Sequence, residues 1–150
     1  MKRFFVFLFI LCTLLCSFCL PSTIDFAQGY SGVYCYYTAQ DFKSSLSSTI
    51  QNGEGYIVSC DIKNSKVVKN MLNKNLLYGE SFSFEGDKSD AKKILFNLDC
   101  VYVDYNNLDI VAYSPKIDYC LNFDNKQYNV QIAVDKGVVY VGFPTIYGGF

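Results

Sequence analysis

The chain opens with a run of uncharged residues that separates its beginning from the part that can fold as a globular domain. Met1-Lys2-Arg3 precedes 17 uncharged residues, Phe4 to Leu20, most of them apolar. A basic start before such a run is typical of a secretory leader, whereas a membrane-spanning helix usually needs about 20 residues. We therefore expect residues 1–20 to be a signal peptide, with a retained N-terminal anchor as the alternative. In both cases residues 21–150 lie outside the cytoplasmic membrane, secreted or at the cell envelope.

Two cleavage sites fit the small residues that signal peptidase requires one and three positions before the cut. Ser17 and Cys19 permit cleavage after Cys19, and Ala27 and Gly29 permit cleavage after Gly29. A lipid-anchored protein is not expected, because the bulky Phe18 precedes Cys19.

The exported part, residues 21–150, is long enough for one compact domain with one core and too short for two. The formal charge of the whole chain is −1. Without Lys2 and Arg3, 11 lysines stand against 14 acidic residues, which leaves −3. A mildly acidic domain has no electrostatic reason to bind nucleic acid.

Strand and helix patterns alternate in the first two thirds of the exported part. β-branched and aromatic residues in alternation predict strands at Gly32–Tyr37, Gly55–Ile62 and Gly79–Gly86. Apolar residues at helical spacing predict a helix after each strand. Their inward residues are Phe42, Leu46 and Ile50 in the first, Val67, Val68, Met71 and Leu72 in the second, and Ala91, Ile94, Leu95 and Leu98 in the third.

Polar residues predict where these helices begin and end. Thr38 and Asp41 can cap the first, which ends at Asn52-Gly53. Asn64 or Ser65 can cap the second, and Asp87 and Ser89 the third, which ends near Asp99. Lysines are expected on the water-facing sides, at Lys66, Lys69, Lys92 and Lys93.

Only strands are predicted after Cys100. They cover Cys100–Tyr105, Leu108–Tyr113, Gln127–Val134 and Val138–Phe143, with a short strand around Tyr119–Phe123. Turns at Asn106-Asn107 and Asp135-Lys136-Gly137 make this part an antiparallel meander. The predicted class is therefore α+β, a mostly antiparallel sheet with about three helices packed on one face.

The residues expected in the core come from these apolar faces. They are Val33, Phe42, Leu46, Ile50, Val58, Phe82, Phe84, Ile94, Leu95, Leu98, Val101, Val103, Ile110, Val130, Ile132, Val139 and Val141.

The last third resembles a known family. Asn129–Val134, and after a short turn Val139–Ile146, are similar to the C-terminal end of the YwmB family, exported proteins of spore-forming Gram-positive bacteria. The resemblance covers roughly residues 80–150. It implies a sheet similar to one half, or a shortened form, of the saddle-like TATA-box-binding architecture. It implies no function, because none is established for the family, and the name of the fold does not indicate DNA binding.

The absence of histidine excludes several chemistries. The chain has no histidine and no tryptophan. Cys–His and Ser–His–Asp mechanisms and histidine-containing zinc sites are therefore excluded.

Four cysteines lie beyond the leader, Cys35, Cys60, Cys100 and Cys120. Their gaps of 25, 40 and 20 positions do not fit a cysteine zinc site. No metal or cofactor is expected, and the four thiols form one or two disulfide bridges or remain free and buried.

Two features remain as candidates for function. Asp104 and Asp109 flank the Asn106-Asn107 turn, where paired carboxylates can act as acid and base or simply favour the turn. Tyrosines on the strands can form a recognition face or be half-buried strand residues; they include Tyr34, Tyr36, Tyr102, Tyr105, Tyr113 and Tyr140.

The favoured interpretation is an exported, non-catalytic binding or structural module. One alternative is a carboxylate-dependent envelope hydrolase that uses Asp104 and Asp109. Another is an inhibitor or partner of a second exported protein, bound through an open sheet edge. Contact with a membrane is expected only through the N-terminal segment, if that segment is not cleaved.

Overall fold

The structure of this protein is a computed structural model that describes residues 22–105 and 109–147, and these residues form ten strands. The strands are β1 (Gly32–Thr38), β2 (Ser48–Asn52), β3 (Gly55–Asp61), β4 (Leu77–Glu85), β5 (Tyr102–Tyr105), β6 (Asp109–Tyr113), β7 (Leu121–Phe123), β8 (Lys126–Tyr128), β9 (Val130–Asp135) and β10 (Val138–Phe143). The helices are α1 (Thr23–Ala27), α2 (Ser65–Met71) and α3 (Lys88–Asn97), with single 3₁₀ turns at Ile62–Asn64 and Lys74–Leu76.

Eight strands form one sheet in the order β2-β3-β1-β4-β10-β9-β6-β5, and every neighbouring pair is antiparallel. The strands β7 and β8 form a separate hairpin. The predicted α+β class and the antiparallel meander of the last third are confirmed. Among the described residues, no helix is long and apolar enough to cross a membrane.

One face of the sheet carries the core. Cross-strand pairing aligns Tyr34, Phe82, Val141, Ile132 and Ile110 in one row over five strands. The first four of these side chains are buried, and Ile110 packs against them half-buried. We call this face the helix face and the opposite one the open face.

The third helix matches its prediction closely. The Asp87 carboxylate accepts hydrogen bonds from the backbone N–H groups of Ser89 and Asp90, at 2.7 and 3.3 Å, and so caps α3. The apolar residues of the helix are buried as expected, at Ala91, Ile94 and Leu95, followed by Leu98. Lys92 and Lys93 are exposed.

The helix predicted around Phe42 and Ile50 is wrong. A turn with a single bridge between Ser44 and Ser47 occupies its middle, and β2 follows. Serine side chains compete for backbone hydrogen bonds and disfavour a helix interior. Asn52 and Gly55 face each other across a two-residue hairpin turn, with Gly53 at φ +58°, so Asn52-Gly53 does not end a helix. Phe42 is buried as predicted.

Four residues expected in the core are exposed. Leu46 and Ile50 are exposed because they belong to the turn and to edge strand β2. Val33 is exposed because the buried side of β1 carries Tyr34 and Tyr36 instead. Val101 is exposed in the connection between α3 and β5.

Smaller corrections concern α2, β8 and β9. Of the four apolar residues predicted to face inward in the second helix, Val68 and Leu72 are buried, whereas Val67 and Met71 are exposed. The predicted strand Gln127–Val134 is interrupted at Asn129. The Asn129 side-chain amide is buried and donates to the carbonyls of Ser114 and Ile117, at 2.7 and 3.0 Å. The predicted turn at Asn106-Asn107 lies outside the described residues.

Candidate functional site

A groove on the open face lies between the β5–β6 pair and the β7–β8 hairpin. Its volume is about 780 Å³, and its walls are Tyr102, Tyr113, Asn122, Asp124, Asn125, Lys126 and Gln127. Asp124 and Asn125 form the hairpin turn with φ values of 48° and 60°, a left-handed conformation that Asp and Asn tolerate better than most residues. The strands next to this turn pair Asn122 with Gln127.

Tyrosine rings form one wall of this groove. Tyr102 and Tyr113 are direct cross-strand partners, and their rings are 6.0 Å apart with an angle of 14° between the planes. Tyr128 meets Tyr102 edge-on, at 5.7 Å and 84°. The Tyr102 hydroxyl oxygen is buried, and within the described residues it has no hydrogen-bond partner. A buried hydroxyl without a partner is uncommon in folded proteins.

Asp104 hydrogen-bonds two residues of β8 beside the groove, Lys126 and Tyr128. Its Oδ2 accepts a hydrogen bond from the Tyr128 hydroxyl at 2.7 Å and from Lys126 Nζ at 3.1 Å. These two bonds, the one from Tyr128 first, lower the pKa of Asp104, and the same contacts raise the pKa values of Lys126 and Tyr128. Asp104 is therefore an ionised acceptor that orients its two donors.

Asp109, the second predicted carboxylate, lies on the same face as Asp104. Asp104 pairs with Val111, so Asp109 is its diagonal neighbour on the adjacent strand. Asp109 accepts a hydrogen bond from Gln131 Nε2 at 2.5 Å. Gln131 Oε1 in turn accepts from the Thr145 hydroxyl at 2.6 Å. The structure thus brings the two acids near each other but gives each its own partner.

A buried carboxylate on the helix face is a feature that the sequence analysis missed. Glu80 is 1% exposed and lies opposite Tyr36 in the β1–β4 pair. Its Oε2 accepts from the hydroxyls of Thr23 and Tyr34, at 2.8 and 2.7 Å. Its Oε1 accepts from Lys69 Nζ and the Tyr119 hydroxyl, at 2.6 and 2.8 Å.

Each donor to Glu80 comes from a different part of the chain. Thr23 belongs to α1, Tyr34 to β1, Lys69 to α2 and Tyr119 to the connection before β7. Burial, and then the charge of Glu80, raise the pKa values of Tyr34 and Tyr119, so both hydroxyls remain donors. We call these five residues the Glu80 cluster. It ties three elements and a loop to β4, and Lys69, predicted to face water, points inward.

A cleft of about 450 Å³ opens beside the cluster, with Lys69, Lys74 and Lys116 among its walls. Lys69 is paired with Glu80, and Lys116 is paired with Asp99 at 2.7 Å. The charges of two of the three lysines are therefore already balanced by protein carboxylates, so the cleft is a weaker candidate ligand site than the tyrosine groove.

The cluster bears on the two predicted cleavage sites. Thr23, Ile24 and Ala27 of α1 are buried, and Thr23 is bonded to Glu80. Cleavage after Gly29 would remove α1 from the core. Cleavage after Cys19, which lies outside the described residues, would leave α1 in place.

The four described cysteines, Cys35, Cys60, Cys100 and Cys120, are free thiols in the structure. Cys35 pairs with Ser59 on the open face, whereas Cys60 pairs with Tyr34 on the helix face, so their side chains lie on opposite sides of the sheet. Burial raises the pKa of Cys35, and it raises the pKa of Cys60 to about 12 and of Cys100 to about 11. These three cysteines are therefore protonated and poorly nucleophilic at neutral pH.

Within residues 22–105 and 109–147, no three Cys, Asp or Glu side chains lie together in a way that could hold a metal ion. The chain matches no protein-family model, no curated protein and no solved structure. The resemblance to the YwmB family and to the TATA-box-binding architecture therefore stays a prediction.

Proposed function

We propose that this protein is an exported, non-catalytic binding module that takes an oligosaccharide of the cell envelope into the tyrosine groove. The observation that carries the proposal is the pairing of an aromatic wall, Tyr102 and Tyr113, with a rim of amide and carboxylate side chains. Export is supported by the leader pattern of residues 1–20.

The chemistry of this groove suits a sugar ring. A pyranose has a C–H face that packs on an aromatic ring and a rim of hydroxyls that need both donors and acceptors. Tyrosine rings supply the first kind of contact. Asn122, Asn125 and Gln127 supply amides that donate and accept, and Asp124 accepts.

Binding to polysaccharide tests this proposal. The protein is purified from its host, so that it carries the host's own processing. It is then mixed with insoluble peptidoglycan, chitin or cellulose, and the bound fraction is measured after sedimentation. We expect retention on at least one of them, and Tyr113→Ala to weaken it roughly tenfold, equivalent to about 1.4 kcal/mol. Tyr105→Ala is the matched control, because Tyr105 lies on the same hairpin but on the other face of the sheet. Equal binding by both variants, or no retention on any polysaccharide, would contradict the proposal.

The hydrolase alternative uses the same region, because Asp104 and Asp109 lie on one face beside the groove. It requires one carboxyl to stay protonated as the acid. The lowered pKa of Asp104 does not support that role for Asp104. The alternative predicts that wild-type protein releases reducing ends from the polysaccharide that it binds and that Asp104→Asn abolishes this release without lowering the melting temperature.

A further inference from the structure

The edge strand β2 lacks the features that usually protect a sheet edge. Residues 44–52 read Ser-Ser-Leu-Ser-Ser-Thr-Ile-Gln-Asn, without a charged residue or a proline. The strand pairs with β3 on one side only, and all its residues except Thr49 are exposed. Natural sheets usually block such edges with lysine, proline or a bulge, since unpaired backbone groups can bind another strand.

The opposite edge of the sheet is different. Strand β5 carries Asp104, whose carboxylate binds Lys126 of the neighbouring hairpin. An ion pair at an edge disfavours the docking of a further strand. The two edges of this sheet therefore differ in their charged side chains: β5 carries Asp104, and β2 carries none.

An apolar side chain marks the centre of β2. Ile50 is 59% exposed on the open face, and its partner on β3 is the buried Ile57. A strand that lies along β2 would cover Ile50 and extend the apolar surface that Ile57 begins. Burial of exposed apolar area favours such an association.

We infer that β2 pairs with β2 of a second copy of this chain, antiparallel about a two-fold axis, to form a homodimer with a continuous sheet. In a register centred on Ile50, the two Ile50 side chains meet, Thr49 lies opposite Gln51, and Ser48 lies opposite Asn52. No charges meet in this register, and each pair can hydrogen-bond or pack. The interface is self-complementary, and the two-fold axis closes the assembly at two copies.

Sedimentation velocity over a range of concentrations, from low to high micromolar, tests this inference. The protein is purified from its host, so that it carries the host's own processing. We expect a concentration-dependent dimer for the wild type. Ile50→Lys places a charge at the centre of the edge and should raise the dimer dissociation constant at least tenfold. Because Ile50 is 59% exposed, this substitution should leave the melting temperature unchanged, which separates loss of the interface from loss of the fold.

The matched control is Met71→Lys, because Met71 is 50% exposed on α2 and lies away from the edge. This variant should dimerise like the wild type. A wild type that stays monomeric over the whole range overturns the inference. Equal weakening by Ile50→Lys and Met71→Lys also overturns it, because the interface would then not be β2. The result does not depend on polysaccharide binding, so the proposed function and this inference can fail separately.

Discussion

Replacing Lys69 by methionine should strongly destabilise the fold, because it leaves the Glu80 carboxylate buried without its cation. Glu80 is 1% exposed, and Lys69 Nζ lies 2.6 Å from its Oε1. Methionine has nearly the same length and apolar stem as lysine, so the substitution removes the charge and leaves most of the packing.

The expected cost follows from the burial of the pair. Removing one partner of a buried ion pair typically costs about 3–5 kcal/mol. Three hydroxyl donors remain on Glu80, and the Lys69 side chain is 20% exposed, so water can approach the vacated position. We therefore expect the lower end of the range, about 3 kcal/mol.

Urea unfolding followed by far-ultraviolet circular dichroism measures this cost. With a denaturant dependence of about 1.5–2 kcal/mol per molar for a domain of this size, the midpoint should fall by roughly 1.5–2 M. Lys63→Met is the control, because Lys63 forms an ion pair with Asp61 at 3.3 Å but is 77% exposed. Its midpoint should not move measurably.

A second substitution separates the charge from other effects. Adding Glu80→Gln to Lys69→Met removes the stranded carboxylate charge, and the amide can still bond to the three hydroxyls. The double variant should therefore be more stable than Lys69→Met alone. A loss below about 0.5 kcal/mol for Lys69→Met, or a double variant less stable than the single one, would refute this reasoning.

Three further predictions concern the core, the tyrosines and the thiols. Leu95→Ala should cost about 2–5 kcal/mol in urea unfolding because Leu95 is buried, and a cost near zero would mean that α3 does not pack on the sheet. The folded-state pKa values of Tyr34, Tyr36 and Tyr119 are raised, whereas unfolded tyrosines ionise at about 10. The unfolded state then binds fewer protons, so the urea midpoint should fall as pH rises above about 10, with no tyrosinate absorbance from these three before unfolding. Iodoacetamide at pH 8, followed by mass spectrometry, should modify the exposed Cys120 first and Cys60 last, because the pKa of Cys60 is raised to about 12; rapid modification of Cys60 would contradict its burial.

Period-two alternation predicted most of the sheet because it reports directly on which side chains face the core. In β4 it places Phe82 and Phe84 inward, as found. The same alternation also places Glu80 inward, but nothing in the local sequence shows that a carboxylate can be accommodated there. Its four donors lie 57, 46, 11 and 39 positions away and come together only in the folded chain.

Helical spacing misled the prediction between β1 and β3. Phe42, Leu46 and Ile50 recur every fourth residue, yet only Phe42 is buried. Ile50 belongs to an edge strand with one neighbour, where an apolar residue need not point into the core. Periodicity alone does not distinguish this case from a short helix.

The groove was only partly predictable for a similar reason. The sequence indicates the strand tyrosines as a candidate surface and Asp104 as a candidate acid that flanks the Asn106-Asn107 turn. The structure places Tyr102, Tyr113 and Asp104 on one face. The rim comes from the β7–β8 hairpin, which lies outside the main sheet. The position of that hairpin depends on tertiary contacts, such as Lys126 and Tyr128 with Asp104, that no local pattern reveals.

We propose that the domain is exported and that its leader is removed before α1. Intact mass spectrometry of the protein from separated extracellular, envelope and cytosolic fractions tests it most directly. We predict a chain that begins at Leu20, found outside the cytoplasmic membrane. A full-length chain confined to the cytosol would contradict export, and a chain that begins at Tyr30 would contradict the place of Thr23 and α1 in the core.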